Sequence, residues 1–144
     1  MIYLDTSVLF SLYFRDSNSS LARSQVANAT APLVITPMCE VEAINAFGQR
    51  VFRREMTAAN MAIAVRDLQT DIRSGVFDLR PLTEPAFARA KALAQTVTPS
   101  VGVRAIDLLH VAAALELGAS RLYSFDVRQR QAAKAVGLKM NALP

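Results

Sequence analysis

Cysteine and histidine are almost absent from this chain, with Cys39 and His110 the only ones in 144 residues. One thiol forms neither a disulfide nor a cysteine zinc site within a single chain. One imidazole excludes a multi-histidine metal centre and argues against a histidine-based triad. Tryptophan is missing and glycine is scarce, at 5 residues. Alanine, leucine and valine dominate instead, a mix that suits helices packed on a short buried sheet better than an all-β sandwich. No apolar run approaches the ~20 residues of a membrane span. The chain opens on a strand-like Met1-Ile2-Tyr3-Leu4-Asp5 with no charged leader region. A cytoplasmic protein with no membrane association is therefore expected.

What is present bounds the class. The length is that of one domain, residues 1–144, and 52% hydrophobic content excludes a disordered chain. Sixteen cations against 12 acids give a formal charge of +4. That balance is compatible with a polyanionic partner such as RNA, and equally with ordinary solubility. The type of cation is more telling: all but three are arginine, whose planar fork suits phosphate.

Short apolar runs alternate with helical periodicity. Ile2–Leu4, Leu33–Ile35, Val76–Leu79, Leu122–Phe125 and Leu138–Met140 read as strands. Thr6 or Ser7 can cap a helix through Tyr13, and a second helix follows over 20–29. A long helix over 38–54 carries apolar Val41, Ile44, Phe47 and Val51 at three- and four-residue spacing. Thr57 is placed to cap the next helix, which Gly75 ends. Further helices are expected over 83–97, 105–117 and 127–136, with 98–102 as a loop. Strands apolar on both faces, alternating with helices, predict a three-layer α/β/α sandwich around a mostly parallel sheet.

In such a sheet ligands gather at the carboxyl ends of the strands. Asp5 ends the first strand and Asp126 the fourth. Asp107 lies in the first turn of its helix and Glu42 one turn into another, so four acids from separate segments can converge. Converging carboxylates repel one another, and a divalent cation removes the conflict. An all-oxygen donor set favours Mg²⁺ or Mn²⁺, ions that activate water and offset charge on a phosphate. Each acid also has a simpler role: Asp5 and Asp126 as helix caps, Asp107 as a partner of the helix dipole. Glu40 and Glu42 are about 200° apart on a helix, so only one of them can face the site.

Four segments together resemble the PIN-domain family, and within it the VapC-type toxins of toxin–antitoxin pairs. They are IYLDTSVL with Asp5, EVEAINAF with Glu42 ahead of Asn45-Ala46, RAIDLLHVAAALELGA with Asp107, and LYSFDVRQRQAAKAVGL with Asp126. The resemblance covers nearly the whole chain and selects Glu42 over Glu40. It departs at Ser124, where the closing motif usually carries Thr. It implies an α/β/α endoribonuclease with Asp5, Glu42, Asp107 and Asp126 as catalytic residues and ligands of Mg²⁺ or Mn²⁺. It also implies a VapB-like antitoxin partner and a homodimer.

Around the acids, Thr6, Ser7 and Ser124 offer hydroxyls for a supporting role or for helix caps. Arg104, Arg128 and Arg130 are nearest the acids and rank first as RNA phosphate contacts. The cluster Gln49, Arg50, Arg53 and Arg54 follows an RNA backbone, meets an acidic partner, or is a solvated helix end. His110 reads as a half-buried, satisfied packing residue, and Cys39 as core. The apolar Phe10, Leu12, Tyr13 and Phe14 wind right around their helix, part core and part interface to a second copy or an antitoxin. Three other readings stand beside the toxin: a PIN nuclease without an antitoxin, an inactive binding module, and a phosphoryl-transfer domain. A haloacid-dehalogenase-like site would want Asp where Ser7 stands. A receiver would want an acidic pair beside the phosphoacceptor and a late-strand Lys, and neither is evident.

Overall fold

A computed structural model describes residues 1–143. Its elements, in chain order, are β1 (Ile2–Leu4), α1 (Thr6–Tyr13), α2 (Ser19–Ala27), β2 (Leu33–Ile35), α3 (Pro37–Phe52), α4 (Ala58–Arg73), β3 (Asp78–Leu79), α5 (Glu84–Thr96), α6 (Thr98–Val101), α7 (Ala105–Glu116), β4 (Arg121–Tyr123), α8 (Val127–Ala135) and β5 (Lys139–Met140). The strands form one sheet in the order β3-β2-β1-β4-β5. Every pair is parallel, with Ile2 facing Leu33 on one side and Arg121 on the other. Helices cover both faces, which is the expected three-layer arrangement.

The chain leaves β1 toward β2 and β3 on one side, and returns later to lay β4 and β5 on the other. The winding direction therefore reverses between β1 and β4, and such a reversal opens a crevice at the carboxyl ends of the two strands. Their tips are tied together by a hydrogen bond from the Asp5 N–H to the Tyr123 carbonyl, 3.0 Å.

Tyr3, Leu4, Leu9, Val34, Ile35, Phe47, Leu68 and Leu122 are fully buried. β1 and β2 are buried along their whole length, whereas the edge pieces β3 and β5 are not. Phe47 on α3 stacks on Phe10 of α1 with ring centroids 5.3 Å apart, which clamps the first helix to the third.

Several expectations need correction. α1 is capped by Asp5 itself, which accepts the Ser7 N–H at 3.2 Å, and not by Thr6 or Ser7. The apolar stripe of α3 is Cys39, Ala43 and Phe47, while Val41 is 67% exposed. Residues four apart nearly superpose along a helix and 41 falls on the opposite side from 43, so the buried face runs through Cys39, Ala43 and Phe47, and of the expected stripe only Phe47 is fully buried. The segment 98–102 is a single helical turn, with Pro99 in its first turn and Gly102 closing it at φ 66°, a conformation glycine adopts without cost. Val76-Phe77 precede β3, Ser124-Phe125 follow β4 and Leu138 precedes β5. Thr57 caps α4 as expected, accepting the Asn60 N–H at 3.1 Å.

Phe47→Ala is expected to remove about 3–5 kcal/mol of unfolding free energy, because the stacked ring leaves a cavity between two clamped helices. Urea denaturation should show a lower midpoint at an unchanged slope.

Candidate active site at the carboxyl ends of β1 and β4

The four acids singled out in the sequence do meet. Asp5, Glu42, Asp107 and Asp126 line one cleft of about 270 Å³, together with Thr6, Ser7, Asn45, Gln49 and Arg104. Asp5 reaches it as the residue after β1, and Asp126 as the N-cap of α8, accepting the Gln129 N–H at 2.8 Å. Asp107 sits in the first turn of α7. Glu42 leaves α3 at the edge of its buried face.

The carboxylates are organised as two pairs, each bridged by an internal cation. His110 joins the first: its Nε2 lies 2.5 Å from Glu42 Oε2 and 3.7 Å from Asp5 Oδ1. Arg104 joins the second: its Nε and Nη2 hold the two oxygens of Asp107 at 2.7 and 3.1 Å, and Nη2 is 4.0 Å from Asp126.

His110 is 1% exposed, so the half-buried position expected for it is corrected to full burial. Its Nδ1 lies 2.9 Å from the Tyr3 hydroxyl. Burial alone would depress its pKa, but the polar contacts to Cys39 and Glu42 and the nearby Asp5 charge raise it well above the ordinary histidine value. These surroundings favour the protonated imidazole, against the effect of burial. Desolvation likewise pushes Glu42 up, yet the hydrogen bonds from His110 and Thr6 outweigh it and hold that carboxyl below its usual value. Thr6 Oγ1 donates to the same Glu42 oxygen at 2.8 Å.

The remaining hydroxyls serve Asp5. Ser7 Oγ and Ser124 Oγ both donate to Asp5 Oδ2, at 2.5 and 2.8 Å. Each is also an acceptor, Ser7 from the Phe125 N–H at 2.9 Å and Ser124 from the Asp126 N–H at 3.0 Å. The two serines stitch the ends of β1 and β4 together through one carboxylate oxygen. Ser124 thus supplies the hydroxyl in place of the Thr usual in the motif.

The expected arginines divide. Arg104 is spent on Asp107. Arg128 is exposed, and its guanidinium donates to the Gly102 carbonyl at 3.3 Å. Arg130 is turned inward, donating to the carbonyls of Ser124 and Asn141 at 2.7 and 2.8 Å; burial lowers its pKa. It fixes the C-terminal segment and does not line the cleft. A second groove of about 250 Å³ shares Thr6, Ser7, Ala46 and Gln49 with the cleft and extends to Arg50 and Arg53. Arg50 is held over the rings of Phe10 and Phe14, 5.4 and 5.1 Å from their centroids.

Sequence reasoning missed His110 and Tyr3 as supports of the acids. The available signal was spacing, since His110 lies one helical turn beyond Asp107. Nothing in the sequence showed Tyr3 at its back.

The donor set is all oxygen, which suits a hard divalent ion. Among the described residues, no three acidic, thiol or imidazole side chains are gathered tightly enough to form a ready-made ion cage. The acids are instead held by Arg104, His110 and the hydroxyls. The chemistry of the donors fits such an ion; the present grouping is one in which internal cations hold them.

Fold and site define an α/β domain with a carboxylate cleft at the switch point of a parallel sheet. The PIN domain profile matches residues 2–135, and the chain belongs to that family. Solved structures share the fold. VapC20 from Mycobacterium tuberculosis, described as a Sarcin-Ricin loop cleaving toxin, superposes with a TM-score of 0.73 at 16% identity, covering 96% of both chains. VapBC-1 from nontypeable Haemophilus influenzae gives 0.69 at 19%, covering 98% of this chain and 97% of that one. A toxin–antitoxin complex from Klebsiella pneumoniae gives 0.63 at 14%, covering 90% and 89%. No curated protein sequence matches the chain.

His110→Ala is expected to cost about 3 kcal/mol, since Glu42 then loses the cation that compensates its burial. His110→Gln, whose amide can still donate to Glu42, is expected to cost less. Denaturant unfolding of both variants decides; equal losses would reduce the contact to packing.

Proposed function

We propose that this protein is a Mg²⁺- or Mn²⁺-dependent endoribonuclease, the toxin of a VapBC-type pair acting in the cytoplasm. The observation that carries the reading is the convergence of Asp5, Glu42, Asp107 and Asp126 on one cleft in a PIN-domain chain. Its other polar groups support it by exclusion. Cys39 and His110 are buried, so neither thiol nor imidazole can act on a substrate. Thr6 and Ser7 point their hydroxyl protons at Glu42 and Asp5, the contacts of side chains that orient carboxylates.

In this reading Asp5 and Asp107 are direct ligands of the ion, and Asp126 and Glu42 hold it directly or through water. When bound, such an ion supplies charge for the phosphate and lowers the pKa of water. The chain's own residues do the positioning. Ser7 and Ser124 fix the orientation of Asp5, and Thr6 and His110 fix that of Glu42. Asn45 and Gln49 offer amides on the cleft wall. The groove that continues past Gln49 offers Arg53 to the strand, while Arg50 is paired with Glu55 and Asp16 lines the same groove.

An antitoxin segment is assigned to the groove of about 490 Å³ between α1 and α4, where Leu12, Tyr13, Phe14, Met56 and Ile63 offer apolar contact beside Glu55 and Asp67. A homodimer is assigned to the apolar groove between α5 and α7, which includes Phe87 and Ile106. Among the described residues, no helix is long and apolar enough to cross a membrane.

Pure protein is expected to cleave RNA with Mg²⁺ or Mn²⁺ and to stop on addition of EDTA. Asp5→Asn and Asp107→Asn are each expected to lower the rate by roughly 100-fold or more while remaining folded. Cleavage that survives chelation and both substitutions would overturn the reading.

A further inference from the structure

Two cations hold the acids, and they are not equivalent. His110 is 1% exposed and bonded on both ring nitrogens, so it belongs to the core. The Arg104 side chain is 69% exposed, while the Asp107 side chain it grips is 9% exposed. Among the described residues, the Arg104 side chain makes no hydrogen bond other than the two to Asp107.

Its location makes the point stronger. Arg104 occupies the N-cap position of α7, with extended backbone at φ −75° and ψ 155°, and makes no side-chain capping bond. The amino end of a helix is its positive end, a poor place for a cation and a good one for Asp107. What keeps the guanidinium there is the acids themselves. An exposed cation on a long stem gives up rotamer freedom for that contact and is screened by salt. A compact ion of double charge has no side-chain rotamers to give up and brings twice the charge.

We propose that Arg104 is a displaceable resident cation: it neutralises Asp107 and Asp126 until a divalent ion binds, and loading the ion requires it to leave. The inference rests on the metal-dependent reading above. It gives Arg104 a role distinct from substrate binding, as a competitor for the ligands.

The test is Mn²⁺ binding to RNA-free protein, followed by titration calorimetry and by the electron paramagnetic resonance signal of free Mn²⁺. Wild type, Arg104→Ala, Arg104→Gln, Arg104→Lys and Asp107→Asn are compared at low salt, with folding confirmed by circular dichroism. Arg104→Ala and Arg104→Gln are expected to bind Mn²⁺ roughly tenfold more tightly than wild type. Arg104→Lys should fall between, because an ammonium lacks the two-pronged grip. Asp107→Asn should bind weakly or not at all. If wild type binds Mn²⁺ through Asp107 but loss of the guanidinium leaves affinity unchanged or weaker, the displacement proposal fails and the metal reading stands. If neither wild type nor the Arg104 variants bind Mn²⁺, both fail.

Discussion

The constraint on which this molecule turns is the mutual repulsion of carboxylates gathered at one point. A parallel sheet that reverses its winding between β1 and β4 delivers Asp5 and Asp126 to the same crevice, and α3 and α7 add Glu42 and Asp107. Four like charges in a partly desolvated cleft are unstable without compensation. The chain answers with His110 from below and Arg104 from the rim, and divides the acids into two bridged pairs. The serines then determine which oxygens face where.

His110 is also where the site and the core become one structure. Its ring contacts Tyr3 on β1, Glu42 on α3 and Thr6 on α1, and it is itself carried by α7. Two layers and the sheet are thus joined through one buried polar network. Such networks are worth more satisfied than partly satisfied, so packing errors in β1 or α3 should be felt at the acids. The same logic separates the two cations, one built into the fold and one held only by the charges it neutralises.

Much of this was legible in the sequence, and for identifiable reasons. Strand-terminal acids are visible because a short apolar run ending in Asp5 or preceding Asp126 needs no tertiary knowledge to recognise. The layer order followed from strands apolar on both faces. Glu42 needed the Asn45-Ala46 pattern, since helical geometry alone could not choose between it and Glu40. What sequence could not show was pairing across distance. His110 meets Glu42 across 68 residues and Tyr3 across 107, and periodicity carries no information on such contacts. Nor could it rotate α3 correctly, because small buried residues such as Cys39 and Ala43 give a weaker signal than an exposed Val41. The inward turn of Arg130 was hidden for a related reason: its partners are the Ser124 and Asn141 carbonyls, which have no sequence signature, and the Asn141 side-chain amide, which no local pattern pairs with it.

The most direct measurement of the central claim is anomalous diffraction from crystals of the protein grown with saturating Mn²⁺. The expected result is a Mn²⁺ peak in the cleft, within ligand distance of the Asp5 and Asp107 carboxylates. A cleft with no such peak while Mn²⁺ is bound elsewhere, or Asp5 and Asp107 still engaged only with serine and arginine, would contradict it.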